Sequence, residues 1–280
     1  MFLLYNIREL VNLEFKNKQF DGPYEVSEIQ IDQILRGILY FPPQSFKKPY
    51  PLIIYFHGFP QLSPLIEIIK RYKFMLDIGY SLLVFNFRGY GYSQGKISIS
   101  SQVLDGKKII ELVNAMVKNE IFDINNINII AHDFGAYIAL ILCSKVRVIN
   151  KLLLISPILE LKKRVNGEDF KKALQYINRF LPRTIHGIEN IEEFIRMTKK
   201  ELSKEEFQIE KCIPKLKNKQ LKIIIGEIDK VSPIVEVKKI LKGANITPDI
   251  FIMDGMDHEC IEDEDYKKYN EEVLKFFKIN

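Results

Sequence analysis

Six near-continuous apolar runs, each closed by Gly, Pro or Asp, constrain this chain more than any other feature. They are "YPLIIYFHG", "YSLLVFNFRG", "INNINIIAHD", "NKLLLISP", "QLKIIIGEID" and "TPDIFIMDG". A strand with one wet face alternates apolar and polar residues. Runs without alternation suit strands covered on both faces, and those belong to parallel sheets. Between most of the runs, residues 63–77, 101–119, 135–145, 233–241 and 265–277 repeat apolar positions at helical spacing, several behind a Ser or Asp. Strand–helix alternation of this kind predicts right-handed crossovers and a doubly wound α/β sheet. Upstream, after a first helical segment, residues 25–43 alternate in two short runs and stop at paired prolines, the pattern of an antiparallel hairpin.

One stretch breaks the rhythm. Residues 158–218 carry three helical patterns and no strand, between the fourth and fifth apolar runs. Loops at the carboxyl edge of a parallel sheet border the ligand crevice, so this insertion reads as a helical cap or lid. The expected division is a core of residues 1–157 and 219–280, with the cap at 158–218. A length of 280 residues suits one large α/β unit with such an insertion.

Composition narrows the function classes. No apolar run approaches the roughly 18–20 residues that a membrane span needs, so a membrane protein is not expected. The start, "MFLLYNIRELVNLEF", meets Arg8, Glu9 and Glu14 before a signal-like core can form, and reads as mature sequence. Cys143, Cys212 and Cys260 are an odd number without metal-ligand spacing, which suits free thiols and a cytoplasmic location. No metal and no cofactor is expected. The net charge of +5 is concentrated between residues 157 and 220 and is not interleaved with aromatics, so nucleic acid is not expected as a partner. A small-molecule substrate is.

Four landmarks occur in order: "HGFP" from His57, "FRGYGYSQG" from Phe87, "AHDFGA" from Ala131, and "GEIDKVSP" followed by "GMDHE". Together they resemble the α/β-hydrolase superfamily from residue 25 onward. The resemblance implies a mostly parallel sheet with a nucleophile on a strained strand-to-helix elbow, G-x-S-x-G. Here Ala131 and Asp133 replace the first Gly and the Ser, and Gly135 is kept. Carried over by position, Asp133 is the nucleophile, Asp229 the orienting acid and His258 the base. Backbone amides of Phe59 and Phe134 would form the oxyanion hole, while His57 and Arg88 match positions that brace loops. An Asp in the elbow resembles epoxide hydrolases and dehalogenases, and "HGFP" matches the H-G-x-P loop of the former. Haloalkane dehalogenases typically hold halide with tryptophan, and this chain has 0 Trp. The general tone of the chain resembles esterases, acyl-peptidases and lipases.

The substitution changes the chemistry. A carboxylate with an ordinary pKa of about 3.9 is already an anion at neutral pH and needs no base to activate it. At an ester carbonyl it would give a reactive anhydride, whereas at an sp³ carbon bearing an epoxide oxygen or a halide it gives a stable alkyl ester. His258 would then activate water against that ester. Epoxide opening also asks for an acid, and Tyr176 is the one tyrosine of the insertion. Two alternatives stand beside this reading: a silent hydrolase fold that binds a ligand or partner, and an ester or thioester hydrolase that activates water directly.

Overall fold

The computed structural model describes residues 22–61, 63–258 and 263–278. The opening helical pattern and Cys260 lie outside the described residues. Eight strands form one sheet: β1 (Val26–Ile31), β2 (Leu35–Tyr40), β3 (Tyr50–Phe56), β4 (Ser81–Asn86), β5 (Phe122–His132), β6 (Lys151–Ile155), β7 (Gln220–Gly226) and β8 (Asp249–Met253). Their spatial order is β1-β2-β4-β3-β5-β6-β7-β8. β1, β2 and β4 pair antiparallel, and every other pair is parallel. The expected hairpin is β1–β2, and the six apolar runs are β3 to β8 in order.

The central strands are covered on both sides, as their unbroken apolar runs predict. α3 (Ile99–Lys118) and α4 (Asp133–Cys143) pack on one face, with α9 (Ile234–Gly243) joining the same core. On the other face lie α1 (Leu65–Arg71), α2 (Lys73–Asp77) and α10 (Asp263–Phe277). Two details differ from the sequence reading. The single helix expected over 63–77 is split at Tyr72, whose backbone leaves the helical region while its ring is buried against Tyr55 and Tyr269. β8 is an edge strand, and only Met253 of its five residues is buried.

Residues 158–218 hold α5 (Leu161–Val165), α6 (Glu168–Phe180), α7 (Ile191–Leu202) and the short α8 (Ile209–Cys212). Phe170, Leu174 and Ile177 of α6, and Phe194, Thr198, Glu201 and Leu202 of α7, recur at helical spacing and form the inward faces. Glu201 ties this segment to the core. Its carboxylate accepts from the Ile99 amide at 2.8 Å, the Ser100 amide at 3.2 Å and the Ser100 hydroxyl, at the positive end of α3. Glu201→Ala is therefore expected to cost about 1–2 kcal/mol. Thermal unfolding and faster hydrogen exchange at the Ile99 and Ser100 amides check it; unchanged exchange there would remove the anchor.

Candidate active site

Three side chains from separate loops converge at the carboxyl edge of the sheet. Asp133 stands where β5 turns into α4, with φ of 52°, a left-handed conformation that an L-residue holds only under constraint. Gly135 supplies part of that constraint. A Cβ there would lie 2.4 Å from the carbonyl oxygens of both Phe56 and His57, so α4 can approach β3 only through a glycine. Gly135→Ala is expected to destabilise the protein by roughly 2–3 kcal/mol, because the clash is with backbone that cannot rotate away. Its urea midpoint should fall well below that of the wild type.

Asp133 is buried, and its two oxygens have different partners. Oδ2 accepts the Phe59 amide at 2.6 Å. Gly58 makes this approach possible, since a Cβ there would meet Asp133 Oδ2 at 2.8 Å. Oδ1 has no hydrogen bond of good geometry among the described residues and lies 3.3 Å from His258 Nε2. On the far side of the ring, His258 Nδ1 reaches Asp229 Oδ1 and Oδ2 at 3.1 and 3.0 Å. Asp229 Oδ1 also accepts the amides of Val231 at 2.9 Å and Ser232 at 2.8 Å, which fix the carboxylate just beyond β7.

The electrostatics follow from burial set against pairing. Burial alone would pull the His258 pKa down, but the Asp133 carboxylate 3.3 Å away, the hydrogen bonds to Asp229 and the charges of both push it up to about 9. Burial likewise pushes the Asp133 carboxyl up. Its interaction with His258, the nearby charge of His132 and the Phe59 amide outweigh this and hold it below the ordinary carboxylate value. Asp229 is lowered in the same way, burial being overcome by His258 and the Ser232 amide. At neutral pH the resting site is an imidazolium between two carboxylates.

The remaining sequence-named residues fall as follows. Phe134 lines the adjoining pocket with its ring, and among the described residues only the Phe59 amide donates to the Asp133 carboxylate. His57 is buried and driven down to about 4 by burial, so it is neutral. Its Nε2 accepts the Phe87 amide at 3.0 Å, which leaves Nδ1 to donate to Gly58 O at 2.9 Å. Arg88 pairs with the buried Asp105 through its side chain and its own amide. Both brace loops. His132, just before the elbow aspartate, has its ring 5.3 Å from that of His258. Tyr176 requires a correction. It is 60% exposed, packs on exposed Phe180 and does not line the pocket, because it projects from the outer face of α6.

The pocket itself is narrow, with a cavity volume of about 30 Å³. Phe59, Phe134, Phe170 and Phe194 line it together with aliphatic residues from α5 and from residues 97–99, and Asp133 forms part of its wall. The Phe59 ring lies 6.0 Å from that of Phe170 and 6.4 Å from that of Phe194, so the loop that holds Asp133 is packed directly on α6 and α7. The polar groups on the wall are Ser98, Thr198 and Arg164. Sequence reasoning passed over Arg164, although "LKKRV" places Leu161, Arg164 and Val165 on one helix face. Among the described residues no cluster of His, Cys, Asp and Glu could hold a metal. No helix among them is long and apolar enough to cross a membrane. Cys143 and Cys212 are buried free thiols.

Comparison with known proteins agrees with this fold. The family model of the alpha/beta hydrolase fold matches residues 51–189. The lysophosphatidylserine lipase ABHD12 of Xenopus tropicalis is 25% identical over 135 residues, 47% of this chain and 34% of that protein. The chain thus spans about a third of the length of the curated relatives it matches. The Pyrococcus furiosus esterase PF2001 superposes with a TM-score of 0.66 at 18% identity, over 94% of this chain and 93% of that one. Est1E from Butyrivibrio proteoclasticus, solved with ferulic acid bound, gives 0.66 at 17% identity, over 89% and 96%. With its strand order, its elbow and this match, the chain has the α/β-hydrolase fold.

Proposed function

We propose that the protein is a hydrolase that opens a C–O or C–halogen bond of a small molecule through a covalent alkyl ester on Asp133. The observation that carries this reading is the division of labour between the carboxylate oxygens. The Phe59 amide holds Oδ2, while Oδ1 has no hydrogen bond of good geometry and lies 3.3 Å from His258 Nε2, and Asp133 itself forms part of the pocket wall. Oδ1 attacks an sp³ carbon, and the bond from that carbon to halide or epoxide oxygen breaks with its electron pair leaving on that atom. A halide departs as such, and an epoxide oxygen takes a proton from solvent.

Ester formation removes the negative charge of Asp133. One of the two carboxylates that raise His258 is then gone, so its pKa falls and the ring releases its proton when a base is needed. Neutral Nε2 takes a proton from water as the water oxygen adds to the ester carbon. Charge develops on Oδ2, already against the Phe59 amide. Collapse expels the product oxygen, which takes the proton from His258, and the remaining proton on the Asp133 carboxyl passes to the imidazole, which restores the carboxylate and the imidazolium. Asp229 keeps the ring in one orientation and stabilises its charged form. Residues 158–218 serve as the cap that closes the pocket from above.

The same features weigh against direct ester hydrolysis. An ester carbonyl would find the Phe59 amide occupied by Asp133, and water would find His258 protonated. The test is to incubate His258→Gln protein with epoxides, haloacids and nitrophenyl esters and map adducts by intact mass and peptide mass spectrometry. An alkyl adduct on Asp133 from an epoxide or haloacid is expected. Its absence across the panel, with turnover of nitrophenyl esters by the wild type, would reject the covalent reading.

A further inference from the structure

The pocket that holds Asp133 carries one other formal charge, and it is positive. Arg164 stands on the pocket wall beside Leu161 and Val165, in an otherwise apolar lining. Its guanidinium has five donors. Among the described residues its one hydrogen bond is a long contact of 3.4 Å from an Nη to the Val231 carbonyl. No carboxylate of the described residues lies within ion-pair distance. Glu160 and Glu236 are taken by Lys163, and Asp169 lies 4.0 Å from Lys172. A half-buried arginine against phenylalanine and aliphatic side chains, with most donors unspent, suits an anion supplied from outside.

The surroundings define the rest of such a ligand. Ile158, Arg164 and Phe170 line both the narrow pocket and a wider neighbouring cleft of about 460 Å³, whose walls include Lys163, Lys230 and Ser232 as well as Glu160, Asp169 and Glu236. Arg164 therefore stands at the junction of a slot lined by hydrocarbon and a polar vestibule. We propose that the site takes an anionic amphiphile, with its aromatic or aliphatic body in the slot and its carboxylate or phosphate on Arg164. This assignment rests on the reading of the Asp133 pocket as the substrate pocket. It makes Arg164 a specificity-determining residue, and the electrophilic carbon must lie on the apolar part of the ligand, within reach of Asp133.

The test uses unreactive probes, so that it does not depend on the reaction. Binding of phenylbutyrate, phenylbutyl phosphate and neutral phenylbutanol to the full chain is measured by calorimetry at low and high salt. The wild type is expected to bind at least one anion about tenfold or more tightly than the alcohol, a preference that weakens with salt. The stronger of the two anions identifies the head group. Arg164→Gln is expected to remove the preference while leaving phenylbutanol binding within about twofold, and Arg164→Lys to keep part of it. Equal binding of acid, phosphate and alcohol by the wild type overturns the proposal. So does an Arg164→Gln variant that melts with the wild type and keeps the anion preference. An anion preference without any Asp133 adduct would sink the covalent mechanism and leave this pocket assignment standing. Adducts formed equally from charged and neutral substrates would do the reverse.

Discussion

Asp133→Asn is expected to lower turnover by about 10⁴-fold or more, the scale seen when a covalent nucleophile is removed. The variant should fold. Asn tolerates the left-handed backbone that Asp133 adopts, and its side-chain oxygen can still accept the Phe59 amide. What disappears is the negative charge on Oδ1, and with it both the proposed nucleophile and one of the two carboxylates that raise His258. The imidazole should therefore titrate below the value of about 9 that the intact site imposes. Single-turnover kinetics measure the first effect and NMR titration of the ring measures the second. Full activity in the variant would assign the chemistry to activated water, and an unmoved histidine would show that Asp133 does not govern its charge.

His258→Gln is expected to slow release of the proposed covalent ester by about 10²–10⁴-fold, the usual contribution of a positioned base. It should also change how stability depends on pH. The folded-state value of about 9 lies above the ordinary 6.5, so the charged ring stabilises the fold fully below pH 6.5, and that contribution is lost as pH rises through 9. At about 1.4 kcal/mol per pKa unit the loss is on the order of 3 kcal/mol. Asp133 and Asp229 are shifted down, so their contribution is present above the ordinary carboxylate range and fades as pH falls through their lowered values. Denaturation midpoints at pH 6, 7.5 and 9.5 should decline for the wild type and stay flatter for His258→Gln. Parallel curves for the two proteins would show that the imidazolium carries no such stabilisation.

Much of the fold was legible because its signals are local. Strands β3 to β7 are covered on both faces, and an apolar run that never alternates has no other comfortable place in a soluble sheet. The elbow was legible for a related reason: strand, small residue, Asp, then Gly135 is a short-range pattern, and only glycine fits where α4 crosses β3. Asp229 and His258 could be named from their positions after the last two strands. The break at Tyr72 was not legible, since a ring docking on Tyr269 nearly two hundred residues away leaves no mark on local periodicity.

The sequence by itself determined which strands lie inside the sheet, where the elbow turns, and which three side chains can meet at the sheet's carboxyl edge. Tertiary structure alone decided how the two oxygens of Asp133 are shared, that His258 rests as a cation between two carboxylates, and which residues of the 158–218 segment face inward. α6 illustrates the physical reason. Phe170 and Tyr176 are both aromatic and sit on one amphipathic helix, but docking on Phe59 and Phe194 turns the first into the pocket and leaves the second in solvent. Helical periodicity states that a face exists; only packing against distant segments fixes what that face meets.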